Sequence, residues 1–241
     1  MATFVLVHGA WHGGWCWRKL APLLRAKGHE VFAPTMTGLG ERVHLLGPDV
    51  GLDTHVQDIV NVLFYEDLTD VILVGHSYGG MVITGVPDKV PERIKHLVYL
   101  DAMVPSDGDS ILSLVSNPGA PPPAWNTPGA VSVPVGPTNF GVEDPDEVTW
   151  LRSHMVPQPL GGMTQPSRQA SPIESKPFPL TYILAAGKDG ASAAPPFQRV
   201  ADRIRNDNRW RLHTLNTGHD VMVTMPNQLA GILLALAWRE E

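Results

Sequence analysis

The sequence predicts an α/β fold in which a mostly parallel sheet carries helices on both faces. Short apolar runs rich in Val, Ile and Leu lack polar alternation, which is typical of strands buried on both faces of a parallel sheet. These runs alternate with segments of helical periodicity, the order expected of strand–helix–strand units. The 241 residues are 43% hydrophobic and 17% charged, which excludes global disorder and suits one domain with, at most, a sizeable insertion.

The alternation predicts six strands and five helices. The predicted strands cover Thr3–Val7, Glu30–Ala33, Val71–Val74, Leu97–Leu100, Leu180–Ala185 and Arg211–Leu215. The predicted helices cover Trp17–Lys27, Leu52–Tyr65, Tyr78–Val86, Pro196–Asn206 and Asn227–Arg239. The first helix stops at Gly28, and the last begins after Pro226, as helix-end preferences favour.

One long segment interrupts the alternation. Between Pro105 and Pro179 it holds 15 of the 23 prolines in the chain. Pro-rich segments are often linkers, but this one also carries many large apolar side chains, which favours an ordered insertion. We therefore predict a core of residues 1–104 and 179–241, and a cap insertion of residues 105–178 with a short helix over Asp146–Met155.

Charge, cysteine count and terminal pattern restrict the partners and the compartment. With 18 basic and 24 acidic residues, the net charge of −6 gives no electrostatic reason to bind nucleic acid or an anionic membrane. The single cysteine, Cys16, cannot form an internal disulfide or a cysteine zinc cluster. Without a signal-like N-terminus or a long apolar run, the expected location is the cytoplasm, and the oligomeric state is not readable.

The motif that indicates chemistry is Gly75-His76-Ser77-Tyr78-Gly79. It directly follows a predicted strand and opens a predicted helix, the context of a G-x-S-x-G nucleophile elbow. The serine of such an elbow sits on a strained turn, so the residues two away on each side must lack a Cβ. The helix N-terminus then points at the carbon where negative charge develops. Ser77 is therefore the predicted nucleophile.

A serine hydroxyl needs a base, and His219 is the predicted one among ten histidines. It follows the last predicted strand, at the same sheet edge as Ser77. His8, His12 and His76 are also near that edge, but His8 and His76 sit in glycine-containing turns, where an imidazole more often braces the backbone. The remaining six histidines have no supporting context and fit surface or core roles.

The carboxylate that orients the base has two candidates at strand ends. Asp189 follows Leu180–Ala185, and Asp101 follows Leu97–Leu100. Both satisfy the chain order serine, acid, histidine. Asp189 is preferred because its strand should lie next to the strand preceding His219. Asp220 is a poor candidate because adjacent residues rarely face each other.

The glycine-rich turn after the first strand is the expected source of an oxyanion donor. It reads His8-Gly9-Ala10-Trp11-His12-Gly13-Gly14-Trp15, and the N–H of Tyr78, which follows the nucleophile, would be the second donor. The alternative, that His8 and His12 bind a metal, lacks the helix and the third ligand that it needs. We expect neither a metal nor a cofactor.

Together with Gly75-His76-Ser77-Tyr78-Gly79-Gly80-Met81 and Gly218-His219, this turn resembles the α/β-hydrolase superfamily. Within it, the chain is similar to the branch of plant methyl esterases, hydroxynitrile lyases and bacterial carboxylesterases, including pyrethroid hydrolases. The resemblance implies an eight-stranded sheet with a cap over the serine. It also implies Ser77, Asp189 and His219 as the triad, with Ala10 and Tyr78 as oxyanion donors.

The resemblance favours a serine carboxylesterase over the other activities of this branch. The hydroxynitrile lyases carry a Thr where Gly9 stands and a Lys where Asp220 stands, and the absence of both residues here argues for an esterase. A hydroxynitrile lyase is one alternative activity, and a ligand receptor on a hydrolase scaffold is another. The expected substrates are small hydrophobic esters of pyrethroid, methyl or aryl type, and acyl lactones. Composition places five residues in an apolar pocket: Trp11, His12, Trp125, Trp150 and Met155.

Overall fold

The central feature of the computed structural model is a six-stranded sheet in which every neighbouring pair is parallel. The structure describes residues 1–116, 123–127, 129–136, 138–187 and 195–237. Along the chain the strands of this sheet are β1 (Thr3–Val7), β2 (Glu30–Phe32), β3 (Val71–His76), β4 (Ile94–Leu100), β7 (Leu180–Ala185) and β8 (Trp210–Leu215). Their order across the sheet is β2-β1-β3-β4-β7-β8. The carboxyl ends of all six strands therefore meet at one edge.

Helices cover both faces of the sheet. They are α1 (Leu20–Arg25), α2 (Leu52–Tyr65), α3 (Gly79–Gly85), α4 (Ile111–Val115), α5 (Pro145–His154), α6 (Leu160–Thr164), α7 (Pro195–Ile204), α8 (Val221–Thr224) and α9 (Pro226–Ala237). Val5 and Val7 of β1 belong to the core on the side of α2, α3 and α7, whereas Phe4 and Leu6 face the side of α1 and α9. Within the described ranges, no helix is long and apolar enough to cross a membrane.

The six strands predicted from the sequence are the six strands of this sheet, with ends shifted by a few residues. The single eight-stranded sheet implied by the resemblance is not present in the described part of the chain, where the main sheet has six strands and β5 and β6 form a separate pair. The first helix begins at Leu20 instead of Trp17, after a 3₁₀ turn over Gly14–Trp17. A helix starting at Trp17 would put Pro22 beyond its first turn, where the missing N–H would break a helical bond.

The segment between β4 and β7 is ordered wherever the structure describes it. Besides α4, α5 and α6, it contains a two-stranded antiparallel sheet of β5 (Ser132–Val133) and β6 (Gln158–Pro159). Helix α5 coincides with the helix expected over Asp146–Met155. Its N-terminus is capped by Asp144, whose Oδ1 accepts the N–H groups of Asp146 and Glu147 at 3.0 Å. The described parts of this insertion therefore contain helices and a strand pair.

Candidate active site

Ser77 sits on a left-handed turn between β3 and α3, with φ at +55°. The two flanking glycines have the steric role expected of them. A Cβ on Gly75 would lie 2.6 Å from the carbonyl oxygen of Gly79, and a Cβ on Gly79 would lie 2.7 Å from the carbonyl oxygen of Val7. Strand, turn and helix can therefore approach only because both residues lack side chains. Ser77 itself is half-buried.

The backbone of Ser77 is tied to the end of β4. Its N–H donates to the carbonyl of Leu100 at 3.2 Å, and its carbonyl accepts the N–H groups of Gly80 and Met103, each at 3.1 Å. The Oγ of Ser77 makes no hydrogen bond to any described residue. A hydroxyl left free in this way suits a nucleophile whose contact with its base tightens when substrate binds.

His219 and Asp101 form a buried pair beside this turn. The Nδ1 of His219 lies 2.6 Å from Oδ2 of Asp101, and the two residues are 3% and 0% exposed. The other carboxylate oxygen, Oδ1, accepts the N–H of Ala185 at 3.1 Å. Burial raises the pKa of the Asp101 carboxyl, and the hydrogen bond from His219 opposes that rise. Since a carboxylate can only accept, Nδ1 carries the proton and Nε2 is left to accept one.

Asp101, the carboxylate that contacts His219, is thus the second candidate from the sequence, whereas the preferred candidate was Asp189. Asp189 lies outside the described residues. The sequence argument relied on adjacency of β7 and β8, but His219 comes four positions after β8 and reaches the end of β4, two strands away. One signal in the sequence was that Asp101 follows β4 with no intervening residue; the structure holds its backbone at a φ of +42°.

The imidazole of His219 is packed between rings and held through its backbone. The Phe197 ring stacks on it at a centroid distance of 4.8 Å, and the His76 ring lies 4.5 Å away. His76 donates from Nε2 to the carbonyl of His219 at 3.0 Å. Burial lowers the pKa of His76 well below its ordinary value, so this ring stays neutral. The expectation that His76 braces the backbone matches this contact.

His8 braces the turn after β1 in the same manner. Its Nδ1 donates to the carbonyl of Gly9 at 2.8 Å, while its Nε2 accepts the N–H of Met36 at 3.1 Å. Burial lowers the pKa of His8 to about 3, which keeps the ring neutral and fixes this tautomer. The Gly9–Ala10 peptide, which carries the N–H of Ala10, is therefore held by its carbonyl end.

His12, which was expected on a pocket wall, is instead buried in a pair with Asp220. Its Nδ1 lies 2.6 Å from the carbonyl oxygen of Ala10, and its Nε2 lies 3.1 Å from Oδ2 of Asp220. Burial by itself would lower the pKa of His12, but the charge of Asp220 and the two hydrogen bonds outweigh it, so the pKa is raised. Among the described residues, no group of three or more metal-ligating side chains is found.

Trp11 connects the turn to the insertion. Its backbone has a φ of +64°, its N–H donates to Oε1 of Gln158 at 3.2 Å, and its carbonyl accepts the N–H of Val156 at 3.0 Å. The indole N–H donates to the carbonyl of Val133 at 3.2 Å. Gln158 is fully buried, and sequence reasoning missed it because nothing local marks a glutamine 147 positions away as a partner of this turn.

The side chain of Tyr78 is buried away from solvent. Its hydroxyl donates to Nδ1 of His55 at 2.7 Å, and His55 donates from Nε2 to the carbonyl of Thr37 at 2.9 Å. Burial raises the pKa of the Tyr78 hydroxyl and lowers that of His55, so both groups are neutral. These bonds anchor the side chain of the residue that directly follows Ser77. His55 has the core role that was expected of it.

The three remaining pocket candidates lie on different sides of the molecule. Trp125 packs against the core on the side of α2 and α3, whereas Trp150 and Met155 pack on the side of α1 and α9. The Trp150 ring lies edge-on to Trp15 at 5.2 Å, with the guanidinium of Arg18 3.3 Å above it. These contacts make Trp150 part of the packing of α5 on the core, and none of them reaches Ser77.

Comparisons with known proteins agree with this architecture. The model of the alpha/beta hydrolase family matches residues 4–232. The chain is 43% identical over 251 residues to the carbendazim hydrolyzing esterase of Nocardioides sp. (strain SG-4G), covering 98% of this chain and 100% of that protein. It is 35% identical to methylesterase 1 of Arabidopsis thaliana over 143 residues, which are 58% of this chain and 54% of that protein.

Solved structures show the same fold. An extracellular alpha/beta-hydrolase from a Paenibacillus species has a TM-score of 0.75 at 24% identity, with 98% of each chain covered. A pyrethroid hydrolase from Sphingobium faniae JZ-2 has a TM-score of 0.70 at 22% identity, with 98% of this chain and 97% of that chain covered. With the match of residues 4–232 and the full-length relative, this chain belongs to the alpha/beta hydrolase family and is an ester hydrolase.

Proposed function

We propose that this protein is a serine carboxylesterase that hydrolyses hydrophobic carboxylic esters through an acyl-enzyme. The observation that carries the proposal is the buried 2.6 Å pair of His219 and Asp101 beside Ser77 on its left-handed turn. The pair leaves Nε2 of the imidazole as the proton acceptor at the sheet edge where the serine hydroxyl is free. Nucleophile, base and orienting acid are the three roles that acyl transfer requires.

In the proposed reaction Ser77 Oγ attacks the ester carbonyl while His219 Nε2 takes its proton. Asp101 stabilises the imidazolium through Nδ1, and the N–H groups of Ala10 and Tyr78 bind the oxyanion. Collapse of the tetrahedral intermediate expels the alcohol with the proton from His219. Water, activated by the same imidazole, then releases the acid and restores Ser77. This assignment gives the acid role to Asp101 instead of Asp189.

For substrates, we propose small esters with an apolar acyl or alcohol part. Residues 105–178 are proposed as the cap over the site, since β5 and β6 of this segment bond directly to Trp11. The 43% identical relative is named for hydrolysing carbendazim, and solved relatives of the same fold include pyrethroid hydrolases. A suitable panel therefore holds carbendazim, a pyrethroid, methyl and aryl esters, and an acyl lactone.

The steric environment of Gly9 supports an esterase over a hydroxynitrile lyase. A Cβ on Gly9 would lie 2.9 Å from the Cβ of Ser77 and 3.0 Å from Nδ1 of His76, so the Thr of the lyases does not fit here without a shift. Asp220, which stands where the lyases carry Lys, is engaged by His12. We expect no cyanide release from mandelonitrile. A receptor role is disfavoured because Ser77, His219 and Asp101 are side chains suited to the roles of nucleophile, base and acid.

The test is Ser77→Ala, assayed with p-nitrophenyl butyrate. Loss of the nucleophile should lower kcat by about 10⁴-fold or more. The matched control is Ser106→Ala, since Ser106 is exposed and lies outside the proposed machinery. Wild-type turnover by the Ser77 variant, or an equal loss in both variants, would overturn the proposal.

A further inference from the structure

His12 is a buried imidazole that the proposed hydrolysis does not use. Its two ring nitrogens both face acceptors: the carbonyl oxygen of Ala10 at 2.6 Å and Oδ2 of Asp220 at 3.1 Å. His12 is 1% exposed and Asp220 is 0% exposed, so water does not share these bonds. A carbonyl and a carboxylate can only accept, so a ring that satisfies both must carry both protons and a positive charge.

Three titratable side chains around this pair are neutral, and Asp101, whose pKa the nearby charge of Asp220 raises, is a carboxylate paired with His219. Burial lowers the pKa values of His8, at the end of β1, and His76, at the end of β3. Burial raises the pKa of the Cys16 thiol, which lies in the 3₁₀ turn after the glycines. The carboxylate of Asp220 is therefore the charge that balances the ring of His12 within the described residues. Oδ2 of Asp220 has its partner in His12, whereas Oδ1 of Asp220 is buried without a hydrogen-bond partner in the described part of the chain.

The bond from His12 fixes one of the two peptides that flank the α-carbon of Ala10. His8 holds the carbonyl of Gly9, and thus the peptide that carries the N–H of Ala10. His12 holds the carbonyl of Ala10. The other end of that second peptide, the N–H of Trp11, donates to Gln158. The direction in which Ala10 presents its N–H depends on both peptides being held.

We infer that His12 is a positioning residue of the oxyanion turn, whose charged ring links the Ala10 carbonyl to Asp220, the residue next to the general base. The link spans 208 positions of sequence, from the turn after β1 to the loop that carries His219. Loss of the second proton leaves one of the two bonds unmade and loosens the turn. This inference rests on the proposed function, because it takes the N–H of Ala10 as an oxyanion donor.

Two substitutions separate the two bonds of the ring. His12→Asn keeps an amide donor near the position of Nδ1, for the carbonyl of Ala10, and gives up Asp220. His12→Gln keeps a donor near the position of Nε2, for Asp220, and gives up the carbonyl. With p-nitrophenyl butyrate, we expect His12→Gln to lose about 10- to 100-fold in kcat with KM nearly unchanged, since the donor acts mainly in the transition state. His12→Asn should keep kcat within about 5-fold.

The pH profile of kcat gives a readout that a merely structural role would not move. In the wild type, kcat should fall at alkaline pH as the ring of His12 gives up its second proton, and His12→Asn should lack that fall. Asp220→Asn removes the charge that holds the proton, so its alkaline fall should begin at lower pH. Equal alkaline profiles in all three proteins overturn the inference, as does wild-type kcat in His12→Gln.

A spectroscopic measurement on the wild-type protein tests the charge of the His12 ring even if the variants do not fold. In ¹⁵N-histidine-labelled wild type at pH 7, both ring nitrogens of His12 should show the shifts of protonated nitrogen, whereas His8 should show one protonated and one bare nitrogen. A neutral ring at His12 overturns the inference. Because this readout does not use turnover, it stands even if Ser77→Ala disproves the proposed esterase mechanism.

Discussion

Replacing Asp101 with Asn changes one oxygen of the buried carboxylate into a donor, and both oxygens are in use. Oδ1 accepts the N–H of Ala185 at 3.1 Å, and Oδ2 accepts Nδ1–H of His219 at 2.6 Å. If the amide oxygen keeps Ala185, the amide nitrogen faces Nδ1 and forces the proton of His219 onto Nε2. In that tautomer the imidazole cannot accept the proton of Ser77.

The expected cost follows from this tautomer change. In a serine triad of known mechanism, the same substitution lowers kcat by about 10⁴-fold, which corresponds to about 5 kcal/mol in the activation barrier. If the amide turns the other way, its nitrogen opposes the N–H of Ala185, which costs about 1–3 kcal/mol of stability. Steady-state kcat with p-nitrophenyl butyrate and the thermal midpoint, measured on one preparation, separate these two effects.

The companion variant is Asp189→Asn, since Asp189 was the acid preferred from the sequence. The geometry of the His219 pair predicts that it changes kcat by less than about 3-fold, because Nδ1 is already occupied by Asp101. A 10⁴-fold loss in Asp189→Asn with a nearly active Asp101→Asn would refute the reasoning from the hydrogen bond. Equal large losses would show that both carboxylates serve the histidine.

Three further predictions concern the turn, a helix and the acid range. Gly9→Ala should lower kcat by about 10²-fold, because its Cβ would lie 2.9 Å from the Cβ of Ser77 and displace the nucleophile; unchanged kcat would show that the turn yields freely. Gly231→Ala, at an exposed position of α9 where the new Cβ meets nothing within 4 Å outside its own helix, should raise the unfolding free energy by about 0.5–1 kcal/mol in urea titrations and leave kcat unchanged. Burial lowers the pKa of His8 to about 3 and of His96 to about 4, both from 6.5. Below pH 6.5 the unfolded chain therefore binds more protons, and each ring should remove about 1.4 kcal/mol of stability per pH unit on acidification. His96→Gln should reduce that slope in urea titrations between pH 4 and 6.5, and an unchanged slope would contradict the lowered pKa of His96.

The elbow was predictable because everything that specifies it is local. A Val-rich strand, two glycines around a serine and a following helix lie within a short stretch, and their close approaches are set by the turn itself. The six strands and their alternation with helices were predictable for the same reason, since burial on both faces leaves a continuous apolar pattern. The choice of His219 rested likewise on its place after the last strand.

The carboxylate that contacts His219 and the side-chain contacts that hold the turn after β1 could not be predicted in this way. Choosing between Asp101 and Asp189 needs the order β4-β7-β8 and the path by which the loop after β8 returns to the end of β4. Sequence spacing carries no information on that path. The surroundings of the pocket candidates could not be predicted either, because the aromatic composition of the insertion does not indicate that Trp150 packs against Arg18 and Trp15.

By itself, the sequence determined the strand pattern, the strained turn at Ser77 and the family, all of which depend on short-range sterics and burial periodicity. The tertiary structure alone decided which carboxylate meets His219, and that the ring of His12 contacts both the carbonyl of Ala10 and Asp220. The bonds from His219 to Asp101 and from His12 to Asp220 join residues 118 and 208 positions apart, so only folding brings these buried polar atoms to their partners.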